Sequence, residues 1–284
     1  MKMISWNIQW GRNAAGVVDL ARTLSEARQI ADFDLLTLQE VTRGFHSLPG
    51  GPGDDQFAEL AAALPGFTVL EAIGADLPPL EAGGQRRQFG NALATRFPVE
   101  QVIRHALPWP ADPGAPSMQR VALEAVLRTS SGPLRVIVTH LEYYSLKQRL
   151  AQVDALRQLQ LEAADHAAHP APAENSAGPF AATVRPISAI VSGDFNSAFG
   201  SEAYRRFIAP LEGAPSFIDA WTELHPGQTP PPTAGVFDLD QWSDGPITCD
   251  FVFVTEDLRD RLRRCVIDGA TQASDHQPIL LELA

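Results

Sequence analysis

The sequence predicts an α/β protein in which two packed β-sheets lie between outer helices. Short apolar, strand-like segments run through the whole chain, and helical patterns lie between several of them. No linker divides the chain near its middle. With 284 residues, 45% of them hydrophobic, the chain is long enough to bury a large core. We therefore expect a single domain over residues 1–284.

The strand predictions rest on runs of β-branched, Leu and aromatic residues that end at turn-forming residues. They fall at 2–8, 34–39, 67–73, 90–96, 120–128, 134–141, 187–192, 248–254, 262–267 and 277–283. The segments 90–96, 120–128 and 134–141 follow one another without an intervening helical pattern. We expect these three to be antiparallel neighbours, because antiparallel strands need only short connections.

Helical patterns occupy four other segments, at 17–31, 54–64, 145–164 and 202–208, where apolar residues recur at helical spacing. Proline-rich stretches at 108–116, 169–186 and 230–232 predict loops. His166 and His169 could form a metal-binding pair beside the second of these loops. The surrounding Ala- and Pro-rich composition favours a solvated loop instead.

Charge and composition limit the class of function. The chain carries 22 basic and 34 acidic residues, a net charge of −12. It therefore lacks the basic surplus that supports strong non-specific binding to nucleic acid, although a local basic groove remains possible. Two cysteines, Cys249 and Cys265, are expected to be buried reduced thiols. No apolar run approaches the ~20 residues that cross a bilayer, and we expect a soluble cytoplasmic protein.

The segment Ser192-Gly193-Asp194-Phe195-Asn196 follows an apolar strand and carries a candidate catalytic pair. Asp194 and Asn196 are two residues apart, so both side chains point the same way if the chain stays extended. A carboxylate can accept a proton from water, and the amide beside it can donate to a phosphoryl oxygen. Gly193 would permit a tight turn. The alternative is a polar turn that caps the next helix.

Two further motifs place acid–base or metal-binding groups at strand ends. Asp275 and His276 precede the final apolar strand, and a histidine titrates near neutrality, although Ser-Asp-His is also common in loops. Glu40 closes an apolar strand, and its carboxylate oxygen suits a hard cation such as Mg²⁺. A salt bridge at the strand end is the other interpretation of Glu40.

Four other polar residues interrupt or end apolar segments: Asn7, Asn91, His140 and Asp250. The partners of a buried Asn7 could be structural groups, or a metal-bound water and a phosphate. Asp250 lies in an apolar strand, so its charge requires a cationic or hydrogen-donating partner. An imidazole N–H is the natural partner.

The order of these motifs along the chain is more specific than any one of them. Trp6-Asn7, Gln39-Glu40, Gly90-Asn91, Thr139-His140, Gly193-Asp194-Phe195-Asn196, Cys249-Asp250-Phe251 and Ser274-Asp275-His276 follow one another from residue 4 to 278. This series resembles the endonuclease/exonuclease/phosphatase superfamily. The resemblance implies a four-layer α/β sandwich, with two packed mixed β-sheets flanked by helices. It also implies hydrolysis of phosphate esters with Mg²⁺ or Mn²⁺.

The resemblance also assigns roles to the motif residues. Glu40 and Asn7 match metal ligands, and Asp275 is a further metal candidate. Asp194 matches the aspartate that orients or deprotonates the attacking water, and His276 matches the essential histidine that Asp250 supports. The remaining catalytic or substrate-binding candidates are Asn196, His140 and Asn91, and Asn7 is counted among the substrate-binding residues as well.

Departures from the family pattern narrow the function. Abasic-site endonucleases carry an aspartate where this chain has Gln9, a tryptophan where it has Ile247 and a tyrosine where it has His140. These differences disfavour abasic-site repair. We expect a phosphodiesterase or phosphatase whose substrate the sequence does not identify. The alternatives are a DNA or RNA nuclease of the same superfamily and, more remotely, an inactive binding scaffold.

Overall fold

The computed structural model describes residues 1–170, 178–180, 183–239 and 241–284. Its strands are β1 (Lys2–Asn7), β2 (Leu35–Arg43), β3 (Thr68–Leu77), β4 (Arg87–Thr95), β5 (Val99–Ala106), β6 (Val121–Thr129), β7 (Gly132–His140), β8 (Ala189–Asp194), β9 (Phe217–Asp219), β10 (Asp250–Thr255), β11 (Leu262–Ile267) and β12 (Ile279–Leu283). Its helices are α1 (Leu20–Ile30), α2 (Gln56–Ala63), α3 (Leu146–Ala168), α4 (Glu202–Phe207) and α5 (Ala220–Leu224).

The strands form two six-stranded mixed sheets. The first has the order β11-β12-β1-β2-β4-β3, and the second has the order β5-β6-β7-β8-β10-β9. The pairs β1–β2 and β7–β8 are parallel, whereas β1–β12, β8–β10 and the outer pairs are antiparallel. Two mixed sheets flanked by helices confirm the predicted α/β sandwich.

Side-chain alternation along the strands produces the layers, because successive residues of a strand point to opposite faces. Met3 and Leu35 pack into the core between the two sheets. The next residue of each strand, Ile4 or Leu36, packs on the other face with Leu24 of α1. The outer face of the second sheet is covered in the same way by apolar residues of α3 and α4.

Each of the first four helices begins at a polar cap. Asp19, Asp55, Ser145 and Ser201 precede α1 to α4, and each side chain accepts a hydrogen bond from a backbone N–H in the first helical turn. Helix α3 continues to Ala168, beyond the predicted end, since the Ala-rich sequence there favours helix. His166 therefore lies in this helix and not in a loop. Part of the predicted loop at 169–186, residues 171–177 and 181–182, lies outside the described residues.

The predicted adjacency of the segments 90–96 and 120–128 is wrong. Strand β4 pairs with β2 and β3 in the first sheet, whereas β6 pairs with β5 and β7 in the second. The prediction missed β5, which carries the chain from one sheet to the other. Most side chains of this edge strand are partly exposed and several are charged, so it shows no apolar run. Strand β9 and helix α5 were also missed, because each has five residues or fewer.

Both cysteines are buried free thiols, as predicted. Among the described residues, no helix is both long enough and apolar enough to cross a membrane. The cytoplasmic location and the single domain over residues 1–284 stay predictions.

The sheet registers bring the predicted residues to one edge of the sandwich. Asn7, at the end of β1, lies opposite Gln39 of β2. Glu40 does not close β2 as expected, because the strand continues past a bulge at Glu40 to Arg43. His140 lies opposite Asp194 at the ends of β7 and β8, and the first residue of β10, Asp250, also lies opposite Asp194. The ends of β1, β7 and β8, the start of β10 and the bulge of β2 thus gather polar groups from both sheets.

Candidate active site

Asp194 lies at the centre of the site and is 1% exposed. Its Oδ2 atom is 3.1 Å from Nδ2 of Asn7, 3.4 Å from Nε2 of His140 and 3.8 Å from Nε2 of His276. Its Oδ1 atom accepts a hydrogen bond of 2.7 Å from the backbone N–H of Asn196. Burial, together with the charge of Asp250, raises the pKa of Asp194 to about 6. The group is therefore ionised at neutral pH and is a stronger base than an ordinary aspartate.

His276 pairs with Asp250, as predicted. The distance from Nδ1 to Oδ2 is 2.8 Å, and both residues are buried. Burial disfavours the charged imidazole, but the charges of Asp250 and Asp275 and the hydrogen bond to Asp250 outweigh it and raise the pKa of His276 well above its usual value. The charged form of His276 is therefore favoured, and its Nε2 lies on the side of Asp194, 3.8 Å from Oδ2.

His140 has the opposite charge state. Burial, then the charges of Arg120 and His276, lower the pKa of His140 well below its usual value. Nδ2 of Asn196 lies 2.9 Å from both the carbonyl of Leu141 and Nε2 of His140. Because a carbonyl can only accept, this nitrogen is the amide donor, and the neutral imidazole accepts at Nε2.

The family resemblance matches Asn196 to a phosphate-contacting asparagine, and that role stays a prediction. Both hydrogens of its amide are used by Leu141 and His140. A contact between this amide and a phosphoryl oxygen would require one of those bonds to open. In this structure Asn196 orients His140 and, through its backbone N–H, Asp194.

Glu40 and Asp275 form the acidic side of the site. Glu40 accepts a hydrogen bond of 3.3 Å from Nδ2 of Asn7. Burial and the charge of Asp275 raise the pKa of Glu40 to about 7. Oδ2 of Asp275 accepts from Nε2 of Gln241 at 2.7 Å and from Nε1 of Trp242 at 3.2 Å.

This side of the site fits a hard divalent cation. Its carboxylate oxygens are ligands that Mg²⁺ and Mn²⁺ prefer. Asn7, in contrast, turns its amide nitrogen towards Glu40 and Asp194, while its Oδ1 accepts a hydrogen bond of 3.1 Å from the backbone N–H of Gln9. Within the described part of the chain, neither Glu40 nor Asp275 forms a salt bridge with an Arg or Lys side chain. A cation would relieve the repulsion that raises the pKa of Glu40.

Three other residues lie close enough together to be considered as metal ligands. Possible ligand atoms of Cys249, Asp250 and His276 lie within 4.8 Å of one another, and this is the single such group of His, Cys, Asp and Glu among the described residues. Burial raises the pKa of the Cys249 thiol well above its usual value, so the sulfur keeps its proton. Nδ1 of His276 is also engaged by Asp250. The acidic side of the site, with two carboxylates that no Arg or Lys of the described residues neutralises, is the better cation site on chemical grounds.

Backbone strain is concentrated at the site. Among the described residues, the non-glycine residues with positive φ are Gln9 at 45°, Trp10 at 44°, Glu40 at 61° and Asn196 at 48°. Glu40 occupies a bulge where the register between β2 and β4 shifts. Left-handed conformations cost such residues of the order of 1–3 kcal/mol each and recur at functional sites, where they redirect side chains.

Gly193 does not form the predicted turn. It lies inside β8 with φ of 143°, and a Cβ atom added there would be 1.8 Å from the carbonyl oxygen of Thr139 in β7. Any side chain would force β7 and β8 apart. Only glycine at position 193 allows β7 and β8 to approach this closely, and this approach places His140 beside Asp194.

Asn91 links the two sheets. It lies in β4 of the first sheet, and its Nδ2 donates a 3.0 Å hydrogen bond to the carbonyl of Val121 in β6 of the second. Asn91 shares a small cavity with Arg120 and His140. Asn91 does not line the cleft over the carboxylates, and its catalytic role stays a prediction.

A cleft of about 460 Å³ opens over these groups. It is lined by Gln9, Trp10, Glu40, Phe89, Met118, Arg120, His140, Tyr143, Tyr144, Asp194, Asn196, Gln241, Trp242, Asp275 and His276. The predictions did not include Gln241, which follows a Pro-rich loop without any local pattern. For Trp242 the sequence left open a place in a cleft or in a core, and the structure has it in the cleft. A second cavity of about 500 Å³ lies between α1 and β11, but none of the predicted site residues lines it.

The sequence pattern of the Endonuclease/Exonuclease/phosphatase family matches residues 4–276, nearly the whole chain. The chain belongs to this family. No protein with a curated description matched its sequence. Family membership supports phosphoester hydrolysis in general, and members of the family generally use divalent metals.

Solved structures of the same fold cover the entire chain. An endonuclease/exonuclease/phosphatase from Beutenbergia cavernae is 20% identical, with a TM-score of 0.68 over 100% of this chain and 72% of its own. A mannosyl-6-phosphatase from Bacteroides thetaiotaomicron is 19% identical, with a TM-score of 0.64 over 100% and 99%. A 3′ phosphatase from Neisseria, bound to a product DNA hairpin, is 17% identical, with a TM-score of 0.62 over 100% and 99%. These likenesses show a shared fold.

Proposed function

We propose that this family member is a Mg²⁺- or Mn²⁺-dependent hydrolase of phosphate esters, a phosphodiesterase or phosphatase. The observation that carries the proposal is the pair of histidines on either side of Asp194. One oxygen of Asp194 lies 3.4 Å from neutral His140 and 3.8 Å from charged His276. The carboxylate of Asp194 can accept a proton from water, and the imidazolium of His276 can stabilise charge on a phosphoryl group. With the neutral imidazole of His140 beside them, these groups suit attack of water on a phosphoryl group.

In the proposed reaction, Asp194 accepts the proton of the attacking water. Its raised pKa of about 6 makes this transfer easier than for an ordinary aspartate. The water oxygen bonds to phosphorus as the bond from phosphorus to the ester oxygen on the opposite side breaks. The ester oxygen leaves with the bonding electrons and takes a proton from solvent, and Asp194 then returns its proton to solvent. Asn196 holds the carboxylate through a backbone hydrogen bond of 2.7 Å.

His276 stabilises the negative charge that develops on the phosphoryl oxygens. Its imidazolium is held by Asp250, so Nε2 remains free to donate towards the phosphate. Glu40 and Asp275 would hold the divalent cation. Asn7 would join them only if its Oδ1 left the backbone N–H of Gln9. That cation, when bound, offsets charge on the phosphoryl oxygens as a Lewis acid.

Arg120 offers a further contact to the phosphate group. It is 8% exposed and lines the cleft. Its Nε atom lies 3.4 Å from Oε2 of Glu142, whereas its Nη1 atom has no hydrogen-bond partner among the described residues. A buried guanidinium with an unused donor favours an anionic ligand.

The test is hydrolysis of bis(4-nitrophenyl) phosphate and 4-nitrophenyl phosphate with Mg²⁺, with Mn²⁺ and in excess EDTA. The two substrates separate diesterase from monoesterase activity, and nitrophenolate absorbance reports the rate. We expect turnover of at least one ester that EDTA abolishes and that either cation restores. An equal rate in metal-free buffer, or no turnover of any phosphoester, would contradict the proposal.

A further inference from the structure

Two adjacent tyrosines stand exposed at the edge of the cleft. Tyr143 is 51% exposed and Tyr144 is 63% exposed, and both line the cleft. Their rings meet edge to face, with centroids 4.7 Å apart and an interplanar angle of 90°. Large aromatic surfaces left in water beside a reaction centre favour contact with a ligand.

The backbone beneath the tyrosines is held rigidly. Nη1 of Arg149 donates to the carbonyls of Glu142 and Tyr143, each at 2.8 Å. The fully buried Glu142 accepts from the backbone N–H of Tyr144 at 3.0 Å, and its own N–H donates to Gln152 at 2.8 Å. The two rings therefore project from a fixed support, which lowers the entropic cost of binding a ligand against them.

Glu142 connects this support to the phosphate side of the cleft. Its Oε2 atom is the partner of Arg120, whose Nη1 atom is unpaired among the described residues. The carboxylate of Glu142 thus positions the guanidinium of Arg120, which could bind phosphate, and also the loop that carries Tyr143 and Tyr144. A ligand with a phosphate at one end and a flat group at the other matches this pair of features.

Several other polar side chains that line the cleft are already hydrogen-bonded to one another. Nε2 of Gln9 donates to Gln241 at 2.9 Å, and Gln241 and Trp242 both donate to Asp275. A sugar needs several free polar partners for its hydroxyl groups. The aromatic faces are the part of the cleft that remains available, which favours a planar ring over a sugar ring.

Charge and volume favour a small ligand over a polymer. Arg120 is the single Arg or Lys among the described residues that line the cleft, and the net charge of the chain is −12. A polynucleotide would need a series of phosphate contacts. The volume of about 460 Å³ lies within the range of ~300–1,000 Å³ that is typical of small-molecule sites.

We propose that Tyr143 and Tyr144 form a stacking platform for the base of a nucleoside phosphate, whose phosphate lies towards Arg120 and Asp194. This assignment of the substrate class rests on the proposed phosphoesterase function. It concerns binding, however, and can be measured without turnover.

The experiment compares adenosine 5′-monophosphate with ribose 5-phosphate, which shares the phosphate and sugar but lacks the base. Dissociation constants are measured by calorimetry in EDTA, where the proposed hydrolysis stops. Stacking on one aromatic side chain corresponds to a preference of about 5- to 150-fold for the ligand with the base. The double variant Tyr143→Ala/Tyr144→Ala should lose this preference, and Tyr143→Phe/Tyr144→Phe should keep it.

Phe180→Ala is the matched control, because Phe180 is 80% exposed and does not line the cleft. It should keep the wild-type preference. Equal affinities for the two ligands in the wild-type protein would overturn the platform, and so would a preference that survives loss of both rings. Release of phosphate from the same two ligands with Mg²⁺ is followed separately by ³¹P NMR. Tyrosine-dependent binding without turnover of any phosphoester would uphold the platform and reject the hydrolase.

Discussion

His276 and Asp250 meet across 2.8 Å through Nδ1 and Oδ2, at a depth where both residues are almost fully shielded from water. The carboxylate fixes the orientation of the ring and stabilises its charged form. Nε2 of His276 is left on the cleft side, 3.8 Å from Asp194. We therefore expect Asp250 to act on the proposed reaction through His276.

Replacement of Asp250 by asparagine should remove most of the activity. The amide keeps the shape of the side chain but not the charge that stabilises the imidazolium, so kcat/KM should fall by about 10²-fold or more. Steady-state kinetics of Asp250→Asn against wild type measure this effect. Asp219→Asn is a suitable control, since Asp219 is also a buried carboxylate, paired with Tyr204 outside the cleft. Equal losses in the two variants would show that stability, and not His276, is responsible.

The sequence predicted this pairing because a charge in an apolar strand requires a partner, and the candidates were few. It could not reveal that Asn196 uses both amide hydrogens on Leu141 and His140, since that depends on the approach of β7 and β8. The tyrosine platform was equally hidden. Nothing in the local pattern distinguishes two exposed tyrosines at a cleft from two on an open surface.

The fold was predictable where strands were apolar and long, as in β1, β2 and β7. Prediction failed at β5, whose charged and partly exposed residues conceal its place at the edge of the second sheet. That omission alone produced the wrong pairing of 90–96 with 120–128. Edge strands lose the apolar pattern because one side faces solvent, so tertiary context determines them.

Glu40→Gln should raise the cation concentration needed for activity. The substitution removes a charged oxygen ligand but keeps the hydrogen-bonding shape beside Asn7. Even the loss of a group that only supports a metal ligand lowers metal affinity by roughly 10–100-fold. Loss of a direct ligand should cost at least as much, so the half-saturating Mg²⁺ concentration should rise at least ~10-fold. Activity measured over a Mg²⁺ titration checks this.

A control for Glu40→Gln is Glu71→Gln. Glu71 lies on β3, pairs with Arg43 and does not line the cleft. It should leave the titration unchanged. An unchanged titration in Glu40→Gln as well would remove Glu40 from the metal site.

A buried ion network away from the cleft makes stability depend on pH. Glu124 is fully buried and lies 2.9 Å from His105, 3.1 Å from Arg185 and 3.6 Å from Arg135. Burial alone would raise its pKa, but the hydrogen bonds from His105 and Arg185 and the charge of Arg135 outweigh it and lower the pKa to about 2. The ionised Glu124 therefore stabilises the folded state fully at a pH above 4.5, the pKa of this carboxyl in the unfolded chain. This contribution is lost as the pH falls towards 2.

Glu124→Gln should lower the free energy of unfolding at pH 7 by ~3–5 kcal/mol, because it leaves buried guanidinium groups without their counter-charge. The difference from wild type should shrink as the pH falls from 4.5 to 2. Urea unfolding at several pH values measures both effects. Glu100→Gln, which breaks an exposed pair with Arg128, should cost less than ~1 kcal/mol. A constant difference across this pH range would contradict the assignment.

His276 and Asp194 should act as one unit on a single phosphoryl group. Each faces the same point of the cleft, and both are required in the same transition state of the proposed reaction. His276→Ala and Asp194→Ala should each lower kcat/KM by about 10³-fold or more, equivalent to ~4 kcal/mol. The double variant should lose far less than the sum, because the second change acts on a site that is already disabled.

The measurement is kcat/KM for the two single variants and the double variant, with the melting temperature as a check on folding. We expect the fold to survive, since both groups lie at the edge of the sandwich, beneath the cleft, rather than in the core between the sheets. Near-wild-type activity in either single variant would overturn the mechanism. If the losses of the two single variants add up to the loss of the double variant, both residues are important but serve separate steps. Stabilisation of phosphoryl charge by His276 would then not be coupled to proton transfer at Asp194.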